Sequence, residues 1–273
     1  MTSREARSYN GRVTPRTRPR RLAIVGAALG FSLVGSFAGM SGVAGGASTE
    51  VRNAVSAYLA HVAATRVADI VIDRTVTVYN PQHAYTRTHF EQHIVLKPPA
   101  RVRVEQITDD KREVRVTVGD RAWVKLPDGS IQETTASADE HRLMQLLLPL
   151  GRSPDDLLRE WRALGVRDDV AHATRVRQRR ALVIGARPAD TRMPAVWLDE
   201  ELGVLRVVRR DRSVKGGLVD ETFSEHRPLV GALSFPYRQE RFVEDKLQIL
   251  ITVRSVSVNT NPPASLFDPA SLR

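Results

Sequence analysis

Apolar residues along the chain recur first at helical spacing and then at strand spacing. From Thr49 to Val67, Val51, Val55, Tyr58, Leu59 and Val62 fall on one stripe, which predicts a helix capped by Thr49. The period then becomes two over 70–79, 88–96, 101–107, 113–118 and 121–126, with polar turns such as Gly119-Asp120 and Asp128-Gly129 between the runs. That pattern predicts an antiparallel meander. Val102 and Val104 alternate with Arg101, Arg103 and Glu105, while Val114, Val116 and Val118 alternate with Arg115 and Thr117. The expectation is one apolar face and one wet face.

Two helical segments interrupt the strands. Residues 137–150 open on Ser137 with Glu140 three positions later, a capping-box pattern, and carry Leu143, Met144, Leu146, Leu147 and Leu148. Such a helix is apolar nearly all round and has to be buried on more than one side. Residues 153–165 have Ser153 as cap, Pro154 in the first turn and Gly165 at the end. Strand patterns resume over 179–186, 195–199, 203–210, 218–226, 232–242 and 246–258. The reading is a mainly β protein with added helices: about eleven strands, no repeat and no linker, hence one domain over 48–273. A long twisted antiparallel sheet that curls without closing exposes a concave apolar face, and the helix over 139–150 suits that opening as a plug. A loose fit would leave an apolar ligand cavity, a tight one an ordinary filled core. Pro236 interrupts the run "ALSFPYRQERF", where a proline removes a ladder hydrogen bond.

Charge changes the picture at one end only. Of the formal +10, residues 1–47 carry seven arginines against one glutamate, so the remainder is nearly balanced. The arginines, ending in Arg20 and Arg21, precede an uncharged Gly- and Ser-rich stretch over 22–47. This reads as a signal peptide cut before Ser48, or alternatively as an inner-membrane anchor over 22–46, and it places the globular part in the periplasm or outside the cytoplasm. The chain has no cysteine, which excludes disulfides, thiolate metal sites, a cysteine nucleophile and a lipid-modified cysteine.

The search for chemistry returns little. The sequence has no nucleophile elbow, phosphate loop, dinucleotide fingerprint or zincin helix, so neither an enzyme nor a cofactor is expected. His89, Glu91 and His93 cluster in "HFEQH", but in a strand His89 and His93 stand ~13 Å apart, too far to share an ion. They read as a solvated outer face, and no metal is expected. His226 reads as a surface histidine. The "RVRQRR" run over 175–180 reads as a hairpin turn with solvated arginines, with contact to anionic lipid headgroups as the sharper alternative. A nearly neutral, aromatic-poor globular part gives no nucleic-acid platform.

Several stretches resemble the LolA-like outer-membrane lipoprotein carriers and lipoprotein-sorting proteins. They are "IVLKPPARVRVE" followed by "VTVGDRAWVKLPDG" (with Gly119, Trp123 and Pro127), "GALSFPYRQERF", and the closing "SVSVNTNPPASLFDP" with Val258, Asn259, Phe267 and Pro269. The similarity runs in order over roughly 49–273. It implies an incomplete, unclosed antiparallel barrel of about eleven strands with helices across the open side, in which a proline at an open edge or bend is tolerated. The implied function is a periplasmic carrier or binder of lipoprotein acyl chains or lipids, working as a monomer with an inner-membrane release complex and an outer-membrane acceptor as partners. Envelope regulators that bind anti-sigma factors share this half-barrel and give the alternative function, although they carry a second, smaller domain for which this chain has no room.

On that resemblance the expected cavity wall takes Phe90, Ile94, Val102 and Val104 from the early strands, and Val116 and Trp123 from the next two. Trp197 and Phe235 follow from the later strands, with Leu143 and Leu147 from the plugging helix. The best-studied carriers place an arginine between the Lys and Pro of the first motif, where it holds the helical lid shut. Here Pro98 stands at that position, between Lys97 and Pro99, so that latch is absent. Arg74, in phase with Ile70, Ile72, Val76 and Val78, is the candidate replacement.

Overall fold

A computed structural model describes residues 47–80, 87–136, 146–211, 217–231 and 233–273. Residues 1–46, which hold the arginines and nearly all of the uncharged stretch, lie outside the described residues, as does 137–145 with Leu143. The first helix, α1 (Thr49–Ala63), buries all five residues of its stripe. Its cap is Ser48 rather than Thr49: the Ser48 hydroxyl accepts from the Val51 amide. The second, α2 (Pro154–Ala163), is capped by Ser153, whose hydroxyl accepts from the Asp156 amide. Gly165 follows α2 at a φ of 89°, a conformation open to glycine at little steric cost.

Thirteen described strands form one antiparallel sheet. They are β1 (Ile70–Tyr79), β2 (Arg87–Lys97), β3 (Arg101–Thr108), β4 (Lys111–Val118), β5 (Arg121–Lys125), β6 (Ile131–Thr135), β7 (Ala171–Val176), β8 (Arg179–Ile184), β9 (Ala195–Asp199), β10 (Gly203–Arg210), β11 (Leu218–Val230), β12 (Leu233–Val243) and β13 (Lys246–Val258). The spatial order is β6-β5-β4-β3-β2-β1-β13-β12-β11-β10-β9-β8-β7, so the sheet is an unclosed barrel with β6 and β7 as its edges. The two strands beyond the expected eleven are those edges. Every residue of β6, "IQETT", is exposed, and such a strand has no buried face to generate an alternation. Breaks of register at Asp73/Arg74, Val204/Arg206, Pro228/Val230 and Arg241/Phe242 bend the strands and strengthen the curl.

Pro236 belongs to an inner strand, yet its position is tolerant for a local reason. It pairs with His226 of β11, whereas the pairing of β12 with β13 begins only at Arg238. The proline therefore stands where β12 has parted from its other neighbour.

The concave face carries the main core. Ile70, Ile72, Ile94, Val104, Ile251 and Val253 meet Val55, Tyr58 and Leu59 of α1 and Leu157, Leu158 and Trp161 of α2. Leu146, Leu147 and Leu148 join the same core, and the Tyr58 hydroxyl donates to the Leu147 carbonyl at 3.4 Å. Burial pushes the Tyr58 phenol up, so that hydroxyl stays protonated.

The expected single apolar face is wrong for β4 and β5. Asp109 and Asp110 form a two-residue turn with positive φ at both positions, and Thr108 pairs with Lys111. Even-numbered residues of β3 then stand beside odd-numbered residues of β4: Val104 opposes Arg115, and Val102 opposes Thr117. Val114 and Val116 thus point to the convex side, beside Glu105 and Arg103. There the chain's end covers them. Leu272 packs on Val114, Val116 and Trp123, and Arg103 is 7% exposed, donating to the Leu266 carbonyl and the Ser271 hydroxyl.

The closing motif has a structural task of its own. Asn259 accepts from the Ala68 amide at 2.7 Å and donates to the Arg66 carbonyl at 2.9 Å. The Asp69 carboxylate accepts from the amide and hydroxyl of Thr260 and from the Asn261 amide. Burial opposes ionisation of Asp69, but these donors and the nearby Lys97 hold its carboxyl below the usual range. A lowered carboxyl pKa adds stability above about pH 4 that is lost as the pH falls through the folded value. Asp69→Asn is expected to cost about 1.5–3 kcal/mol at pH 7, with the gap to the parent protein narrowing below about pH 4. Urea unfolding at pH 7 and pH 3 measures both.

Candidate functional site

A cavity of about 210 Å³ opens on the concave face, lined by β1, β2, β3, β11, β12 and β13. Neither α1 nor α2 contributes to its wall. The apolar part comes from Val76, Phe90, Ile94, Val102 and Val104 on one side and Phe223, Ile249 and Ile251 on the other. The register explains the grouping: Val76 stands opposite both Phe90 and Ile251, and Ile94 opposite Val104.

The polar part is ordered by the same pairing. Arg74 donates through Nε to Gln92 at 2.8 Å, and Gln92 donates to Gln106 at 3.0 Å, a ladder across β1, β2 and β3. Across the cavity, Arg241 donates to Glu221 at 2.6 Å. Gln239 lies between Phe223 and Ile251 in register and is 4% exposed. Its side-chain oxygen accepts no hydrogen bond from any described residue.

The size limits what fits. A dry cavity of about 150 Å³ holds a benzene ring, and pockets for drug-sized ligands run from about 300 Å³. About 210 Å³ suits one short apolar chain segment and not several chains side by side.

Of the residues expected from sequence, Phe90, Ile94, Val102 and Val104 are brought together here, with Arg74 beside them. Phe235 and Leu147 belong to the core shared with α1 and α2 and do not line the cavity. Val116 and Trp123 sit on the convex side with Leu272. Trp197 is also away from the cavity: it packs with Val183, Ala186 and Ala195, and Arg206 stacks 4.5 Å from its ring. Missed were Gln92, Glu221, Phe223, Gln239, Arg241, Ile249 and Ile251. The alternation "LQILITV" in β13 carried part of that signal; the polar residues lacked one, because buried polar side chains break the very pattern used to find a core.

His89, Glu91 and His93 take cross-strand polar partners on the face away from the cavity: Thr77, Arg254 and Asp73 respectively. Among the described residues no group of three metal-ligating side chains comes together. His226 is half-buried rather than at the surface, and burial lowers its pKa to about 4, with Asp199 pulling the other way. The basic hairpin turns at Arg177 and Gln178, with Arg175, Arg177, Arg179 and Arg180 exposed.

No family model matches the sequence, and no curated protein matches it. Solved structures do. A putative outer membrane lipoprotein-sorting protein domain from Vibrio parahaemolyticus aligns with a TM-score of 0.52 at 12% identity, over 81% of this chain and 97% of that one. A DUF1329 family protein from Desulfovibrio piger gives 0.52 at 12% identity, over 82% and 99%. A LolA superfamily protein from Nitrosomonas europaea gives 0.49 at 11% identity, over 82% and 98%. The fold is the one shared with the lipoprotein-sorting domain and the DUF1329 protein. Within this sheet Arg74 lies on the cavity wall, tied along the sheet to Gln92.

Proposed function

We propose that the protein is an exported carrier or binder of acyl chains, holding one chain segment in the concave cavity. The observation that carries this is the cavity itself: eight apolar side chains from five neighbouring and facing strands, with polar side chains on both sides tied to one another as Arg74–Gln92 and Arg241–Glu221. The likeness to a lipoprotein-sorting domain supports the same reading. Residues 1–47 serve as the export segment in this account, either cleaved or kept as an inner-membrane anchor, with residues 48–273 as the binding domain. At about 210 Å³ a single-chain lipid fits directly, while a lipoprotein with several acyl chains requires the sheet and its covering helices to move apart.

Native mass spectrometry of the full chain isolated from a bacterial envelope tests this. Lipid-sized mass additions, lost on delipidation, are the expected result. Protein at its bare mass alone, together with failure to take up any chain added afterwards, would count decisively against it.

A further inference from the structure

We propose that the cavity selects a single-chain amphiphile whose polar end is an uncharged hydrogen-bond donor, such as a hydroxyl or an amide N–H, read by the side-chain oxygen of Gln239. This rests on the acyl-chain reading above and adds a headgroup to it. Three observations point the same way. Gln239 lines the cavity between Phe223 and Ile251, is almost fully buried, and its Oε1 is reached by no donor among the described residues. A buried carbonyl oxygen without a donor is costly, and a ligand that brings one recovers that cost as affinity.

The surrounding polar groups are already engaged with each other. Arg74 is held by Gln92, Gln92 by Gln106, Arg241 by Glu221, and Glu240 accepts from Arg238 at 2.7 Å. The wall is therefore preorganised around one open acceptor.

An acid fits this acceptor badly. A carboxylate has no proton to give the Gln239 oxygen and would have to be desolvated beside the Glu221 carboxylate, which Arg241 already pairs. Glu240 offers nothing to the headgroup, because its carboxylate turns to the other face of β12 with Thr222 and Arg238. A hydroxyl or amide donates to the same oxygen and brings no charge to desolvate. The volume limits the tail to one chain.

The test compares chains of equal length and different ends on the full-length protein: 1-monodecanoylglycerol, decanamide and decanoate, titrated by isothermal calorimetry. The glycerol ester and the amide are expected to bind about tenfold or more tightly than the carboxylate at pH 7.5. Gln239→Leu, which keeps an apolar wall, is expected to erase most of that preference while still taking up the ester. Equal affinities, or preference for decanoate, in the parent protein would overturn the proposal whatever the variant does. A folded Gln239→Leu variant that keeps the full preference would also overturn it. Absence of binding for all three chains would instead remove the acyl-chain reading on which the proposal stands.

Discussion

Leu147→Asp is expected to lower the melting temperature by about 10 °C, because an unpaired carboxylate in an apolar core costs about 3–5 kcal/mol in a protein of this size. Leu147 is 7% exposed, with Leu146 and Leu148 buried beside it in the core that includes Trp161 of α2 and Val55 of α1. Its carbonyl is also held by the Tyr58 hydroxyl. On this geometry residues 146–148 are part of the folded core and not a panel free to swing. Thermal melting by circular dichroism, paired with a chain-binding assay, separates the two behaviours. A variant that melts unchanged but no longer binds chains would show that the segment moves as a lid.

The second large effect is on binding. Val104→Trp places an indole in the cavity from a position opposite Ile94, and is expected to weaken single-chain binding at least tenfold. Growth into open space costs less than growth into a filled core, so the melting temperature should fall by only a few degrees. Trp123→Ala is the matched control, since Trp123 packs on the convex side beside Leu272. It should leave chain affinity unaltered. Weakened binding in Trp123→Ala with normal binding in Val104→Trp would place the site on the other face of the sheet.

The two described helices α1 and α2 and most strands are legible in the sequence because their signals are local. All five stripe residues of α1 are buried, and the Ser153, Pro154 and Gly165 signals bound α2. The unclosed barrel and its covering helices follow from the number of strands and from the resemblance. Register is where local reading stops. Alternation gives the period of a strand but not its sign, and one residue of offset exchanges its faces. The valines of β3 and β4 both occupy even positions, so the two-residue turn at Asp109-Asp110 was the available clue that they face opposite ways. The same logic carries Trp123, which pairs with Val116, to the convex side. Trp197 and Arg206 form a stacked pair outside the cavity, a use of a tryptophan that no spacing announces. Gln239 was hidden for a different reason: a buried amide looks like a surface residue until its neighbours Phe223 and Ile251 are known.

On the proposed reading an acyl chain lies on the concave face between β1–β3 and β11–β13. A single-chain alkyl probe carrying a diazirine at its methyl end tests it most directly, by photolysis with the full-length protein and mapping of the modified peptides. Covalent adducts are expected on the strands that carry Phe90, Ile94, Val104, Phe223 or Ile251, and should be suppressed in Val104→Trp. Adducts confined to the convex strands around Trp123 or Trp197, or no saturable labelling at all, would contradict it.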